Sequence, residues 1–343
     1  MDQTLLYGQT SFTRRAPVNL ASGDNDLFSK AISVVLKPVH LYHYSNANVT
    51  PEGIVFSWLS LEKQFLIYPD HKRIYNSLHV LSNRIKRRRI SLPASEKYLL
   101  CYDYWSNAIF HWMCDALPRL QAVKELAQDC VFILPEHYQY PYILETLNAF
   151  KVKSIYKLPV NAYVHCPTLY VPKQITTSGE INPKNIIQLR QTLMDYFMPL
   201  FKNNSHQSTN IYVSRSAAKY RKVLNEDEVV KLIKKYDFEV IHFEKLSVTE
   251  QIEIAYHSKN MISLHGANLT NVIFMQPESN VLEFRKKNDT ENNYYYSLAD
   301  SVGCNYYYLN CEYVDTKPGN FFDLTVDIEE LEIILRKMMD KSN

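Results

Sequence analysis

Glycine is scarce in this chain, 7 of 343 residues. None of the seven spells Gly-x-Gly-x-x-Gly or Gly-x-x-x-x-Gly-Lys-Ser/Thr, so neither a dinucleotide fingerprint nor a P-loop is supported. The 6 cysteines contain no Cys-x-x-Cys pair, and no His/Cys group has zinc spacing. Free thiols in a reducing compartment are the expectation, not a disulfide framework. No run of about 18 apolar residues occurs, which argues against a spanning helix. Charge of one sign is missing too: the formal net charge is +2, giving no electrostatic case for nucleic acid. The opening residues Met1 to Tyr7 lack a basic stretch followed by an apolar core, so a cytoplasmic protein is expected. One basic cluster stands out, Arg84-Ile-Lys-Arg-Arg-Arg89. It reads as a solvated face, with peripheral contact to anionic lipid as the less favoured alternative.

What remains is 46% hydrophobic and long enough for two α/β domains. The first hundred residues look β-rich, with short turn-bounded segments at 31–36, 53–57 and 65–68. From Ile109 the texture changes. Helical stretches near 109–128, 141–150 and 184–200 alternate with apolar strands at 130–134 and 168–171, which predicts βα units and a mainly parallel sheet. The polar stretch 201–209 reads as a linker between a domain over 1–200 and a second over 210–325. Residues 326–343 carry an amphipathic helix, with Leu331, Ile334, Leu335 and Met338 on one stripe. Asn225 is expected to cap the helix that follows it, with Glu228 completing a capping box. The tyrosine runs 294–296 and 306–308 suit strand surfaces better than carbohydrate contact.

Because glycine is rare, its place at one turn is informative. Met261 to Leu264 reads as a buried strand, His265-Gly266 as a tight turn, and Ala267 to Met275 as an apolar helix. A strand that ends in a glycine turn and opens a helix offers backbone N–H groups to a phosphate. Gly266 lets the backbone approach a ligand that a Cβ would push away. The plain alternative is a structural corner with a satisfied histidine.

Two further motifs carry possible chemistry. In Ile211 to Arg221 a strand delivers Ser214 and Arg215 to its C-terminal end, and Lys219 and Arg221 follow in the loop. Arginine's planar fork suits diphosphate oxygens; Lys219 reads as solvated. In Ala108 to Arg119, His111 and Asp115 lie four apart and share a helix face. An imidazole and a carboxylate among Phe110, Trp112, Met113 and Leu117 are either used or form a buried ordering pair. Pro118 is expected to end or kink that helix. Glu283, read as ending the strand 281–284, is a candidate for ribose hydroxyls or an internal ion pair. Asp24-Asn-Asp26 spells a metal–nucleotide pattern but sits in a polar loop that no strand delivers, and reads as chance.

These residues resemble, in order, the blocks of glycosyltransferase family 61: Phe110 to Leu120, Tyr212 to Arg215 with Arg221, Asn225 and Glu226, and Leu264-His-Gly-Ala-Asn-Leu269. Weaker matches lie at 44–49, 178–183 and 246–252. The resemblance implies a GT-B architecture, two Rossmann-like domains facing across a cleft, with the acceptor on the N-terminal domain and the donor on the C-terminal one. It implies inverting transfer of a sugar from a nucleotide sugar, UDP-linked by expectation, without metal or cofactor. A glycan or lipid-linked glycan of bacterial surface polysaccharide synthesis is the implied acceptor, met in the cytoplasm or at the inner face of the membrane. Ser214, Arg215, Arg221, His265, Gly266, Ala267, Asn268 and Glu283 would then serve the donor. Asp115 is the first choice as general base and His111 the second. Two rival readings are a non-catalytic binding protein on the same scaffold and a sugar epimerase or phosphatase. Oligomeric state is not legible.

Overall fold

The computed structural model describes residues 2–57, 60–66, 75–202, 209–218, 220–317 and 321–340. Expectations that fall elsewhere lie outside the described residues: the strand end at Ile67 and Tyr68, most of the 201–209 linker, and Lys219. The chain forms two compact units. The first contains Met1–Ser11, Val35–Ser178 and Gln191–Leu193; the second contains Phe12–Val34, Gly179–Arg190 and Met194–Asn343.

The first unit is built on a mixed sheet of nine strands among the described residues. Ser154–Leu158, Cys130–Pro135, Lys97–Leu99 and Ala162–Pro172 run parallel. The long strand Val39–Val49 then pairs antiparallel with Ala162–Pro172 and continues the sheet into Val55–Ser57 and Ser60–Leu61. The sheet is therefore less uniformly parallel than alternation alone predicts. The helix expected over 109–128 is broken into Ile109–His111, a π-helical stretch Trp112–Ala116, Leu117–Gln121 and Lys124–Ala127. Leu117 donates its N–H to the Trp112 carbonyl, five residues back. Pro118 has no N–H to give the Cys114 carbonyl, so a widened turn here sacrifices no bond at that position. The helix changes register at the proline and carries on.

The second unit holds a six-stranded sheet in the order Glu239–Ile241, Asn210–Val213, Asn260–Leu264, Asn280–Lys286, Asn305–Lys317, Phe321–Thr325. All neighbours are parallel except the last pair. In chain order this is 2-1-3-4-5-6, a doubly wound arrangement whose order reverses between Asn210–Val213 and Asn260–Leu264. On one face, Tyr212, Leu282 and Phe284 pack in one cluster with Leu331, Ile334, Leu335 and Met338 of the helix Ile328–Met339. That helix is part of the unit's core, which corrects its separation as a segment over 326–343.

The N-terminal boundary also moves. Phe12–Val34 belongs to the second unit, because Phe28 is fully buried edge-on against Tyr296, Tyr306 and Tyr308. Tyr295, Tyr296 and Tyr306 to Tyr308 are all buried, so these aromatic runs are core. Asn225 does not cap its helix: its amide side chain exchanges hydrogen bonds with the backbone of Val326 instead. A complete capping box forms at Ser247 and Glu250, opening the helix Val248–His257.

Candidate active site

The strand-order reversal in the second unit brings together the ends of two strands, and the sequence places its polar residues there. Asn210–Val213 delivers Ser214 and Arg215; Asn260–Leu264 delivers His265 and Gly266. Gly266 has φ 154° and ψ −178°, a conformation essentially confined to glycine. A Cβ on Gly266 would lie 2.8 Å from Nη1 of Arg215. The guanidinium thus rests against the bare glycine, and Arg215 also donates from Nε to the Arg221 carbonyl (3.2 Å) and from Nη2 to the Tyr220 carbonyl (3.1 Å).

Burial, and then the charge of nearby Arg221, lower the Arg215 pKa below its ordinary value. Burial lowers that of Arg221 as well. Two guanidiniums held close and partly desolvated are costly, and an anion between or beside them offsets that cost. Beyond Gly266 the chain turns into a 3-10 helix, Ala267–Phe274, tighter than the α-helix its spacing suggests. The first N–H groups of any helix lack partners within it, and Ala267 and Asn268 supply two here. Both residues are half-buried.

The remaining donor-side candidates are placed differently. Ser214 is buried and its hydroxyl donates to Glu226 (2.8 Å), which also accepts from the Tyr212 hydroxyl (2.7 Å). This serine braces the loop and does not present its hydroxyl to a ligand. Glu283 lies mid-strand, not at its end, and is fully buried. One of its oxygens meets His265 Nδ1 and the other accepts from the Tyr306 hydroxyl. Arg285 donates to the same tyrosine and to Asn293. Of the two roles weighed for Glu283, the internal one is realised: it orients His265, and its oxygens are not offered to a ribose. Asp24 likewise accepts from Tyr308 and Asn310. No group of three His, Cys, Asp or Glu residues suited to a metal ion occurs among the described residues.

In the first unit, His111 Nδ1 lies 2.7 Å from Asp115 Oδ2 across the π turn. Ser178, not foreseen as part of the site, donates to the same oxygen (2.9 Å). The only signal for it was its place at the start of the weakly matching 178–183 block. The Asp115 side chain is 1% exposed and that of His111 22%, so the carboxylate stands behind the ring. Of the two groups, the His111 ring is the one that is accessible. With Nδ1–H donated to Asp115, the neutral ring carries its lone pair on Nε2. Burial pulls the His111 pKa down, but the hydrogen bond and charge of Asp115 outweigh it, and the net shift is upward. Burial raises the Asp115 pKa more than His111 lowers it. Trp112 Nε1 donates to Thr146 (2.9 Å), and Arg119 Nε to the Pro172 carbonyl (2.9 Å), which pins both flanks of the turn.

Trp105 packs 6.0 Å from the His111 ring and also lines a cavity of about 430 Å³ in the same unit. Tyr104, His137 and Tyr138 form part of its wall, together with Arg87 and Glu52 in a two-bond ion pair.

The sequence profile described as Glycosyltransferase 61 matches residues 109–282, half of the chain, spanning both the His111–Asp115 turn and the Arg215–Gly266 corner. The chain belongs to glycosyltransferase family 61. The chain is similar to the EGF domain-specific O-linked N-acetylglucosamine transferase of Drosophila melanogaster, with 36% identity over 98 residues. That alignment covers 28% of this chain and 18% of the relative, so less than a fifth of that relative's length is matched.

Proposed function

We propose that this family 61 member is an inverting, metal-independent glycosyltransferase that moves a sugar from a UDP-linked donor to a hydroxyl acceptor. The observation that carries the reading is the Arg215–Gly266 contact at the strand-order reversal, where α/β sheets bind their ligands. Arg215, Arg221 and the amides of Ala267 and Asn268 would take up the charge developing on the departing diphosphate. His265, held by Glu283, would stand beside the phosphate at the same turn. As the acceptor oxygen attacks the anomeric carbon, the bond from that carbon to the diphosphate breaks and His111 takes the hydroxyl proton. Asp115 and Ser178 hold the ring for that transfer and stabilise the imidazolium formed. The aromatic cavity beside His111 suits the apolar face of an acceptor sugar.

The finer expectations belong to the same proposal: a GT-B arrangement, which the separate sheets of the two units support, and a glycan or lipid-linked glycan of surface polysaccharide synthesis as acceptor. The partial likeness to an N-acetylglucosamine transferase makes UDP-N-acetylglucosamine the first donor to try. The test is thermal stabilisation by UDP and UDP-sugars, with and without EDTA, followed by UDP release with water as surrogate acceptor. Stabilisation and slow release, both unaffected by EDTA, are expected. Stabilisation without release for any donor would leave a binding protein, and chelator-sensitive release would return Asp24 and Asp26 to consideration.

A further inference from the structure

The helix Ser77–Lys86, capped by Asn76, turns Val80 and Asn83 inward. Val80 joins Ile54, Phe56, Leu61, Leu66, Tyr75 and Tyr163 in a buried cluster. At 3.6 residues per turn, Leu78, Leu81 and Ile85 fall together on the opposite side. They are 76%, 43% and 75% exposed, so three large aliphatic side chains form an outward stripe, not a scatter of single apolar residues. Arg84 flanks the stripe on one side and Lys86 on the other, and the chain runs on into Arg88 and Arg89, both exposed on an edge strand. From Tyr75 to Ser95 the sequence contains no Asp or Glu. Arg87, the remaining cation, is withdrawn into its ion pair with Glu52. Lys86, Arg88 and Arg89 make no ion pair among the described residues.

We propose that this face is a membrane-docking surface that lies on an anionic lipid leaflet, with the three aliphatic side chains in the acyl boundary and the cations on the headgroups. An apolar stripe rimmed by lysine and arginine is the pattern of an interfacial helix, and the lack of Asp or Glu from Tyr75 to Ser95 matches a negative surface. The contact proposed is a peripheral one; among the described residues no helix is long and apolar enough to cross a membrane. The inference stands independently of the transferase reading.

The experiment is co-sedimentation of the full chain with vesicles of phosphatidylcholine alone and of phosphatidylcholine mixed with phosphatidylglycerol, at low and high salt. Partitioning is expected on the mixed vesicles only, weakened by salt. Arg88→Gln and Arg89→Gln should each lower it roughly fivefold. The triple variant Leu78→Gln, Leu81→Gln, Ile85→Gln should lower it more than about tenfold. Because these side chains are exposed, the variants should melt with the parent, which a thermal scan checks. Equal binding to neutral vesicles, no binding by the parent, or variants that partition like it would each overturn the proposal. So would self-association of the parent that the triple variant abolishes, since that would assign the face to a second copy.

Discussion

Arg215 and Gly266 share one volume, and that can be tested by a pair of substitutions. Removing the guanidinium in Arg215→Ala should weaken UDP binding by about 1.5–3 kcal/mol, the range for a charged hydrogen bond. Gly266→Ala places a methyl 2.8 Å from Nη1 on a backbone that glycine alone adopts freely, so it should displace Arg215 and also strain the turn by about 1–3 kcal/mol. If so, the double variant loses little more than either single one, because both remove the same contact. Additive losses by calorimetry would separate the two residues. His111 invites a pH profile. It must be neutral to take a proton, and its pKa is raised, so turnover should fall on the acid side of a midpoint above 6.5 and level off above it. Asp115→Asn removes the counter-charge, so the midpoint should move to lower pH while the plateau drops about 10²–10⁴-fold. An unmoved midpoint would make the pair a packing feature. The pairing itself was legible as an i, i+4 spacing. Ser178 was not, because 63 residues separate it from Asp115.

At the scale of elements, local signals were read well where one short motif decided the outcome. The helix Ile328–Met339 carries a capping aspartate and an apolar stripe, and it falls within the segment 326–343 that was read as helical. Asn225 failed as a cap because the backbone of Val326, 101 residues away, competes for its side chain, a partner that no local pattern encodes. The π turn was also hidden, since one extra residue in a turn leaves no periodic trace over so few positions. Pro118 is the one local hint. Pro118→Ala would give the Cys114 carbonyl a donor again and lower the cost of an ordinary α register. The expected outcome is a rotated Asp115, a lower kcat and an unchanged Tm. Unaltered turnover would show that Trp112–Thr146 and Arg119–Pro172, not the proline, hold the turn.

For the whole molecule, composition suggested a domain boundary at the polar stretch 201–209, but the second unit already takes in Gly179–Arg190 and everything from Met194 onward. Proximity in sequence suggested that residues 12–34 belong with their β-rich neighbours; packing instead gives them to the second unit. Phe28 decides this. It is fully buried, with the Arg285 guanidinium 4.7 Å over its ring and three tyrosines around its edge. Arg285 and Tyr306 in turn lie on the chain of contacts that reaches Glu283 and His265. Phe28→Ala removes a buried ring and should cost about 3–5 kcal/mol. The loss should fall on the second unit, so amides of Asn280–Lys286 and Asn305–Lys317 should exchange faster with deuterium, while those of Val39–Val49 and Ala162–Pro172 keep the parent's protection. UDP should restore part of the protection, because a ligand that binds only the folded unit stabilises it. Faster exchange confined to Val39–Val49 and its neighbours would return residues 12–34 to the first unit. Uniform loss across both sheets would mean that the chain unfolds as a single cooperative body.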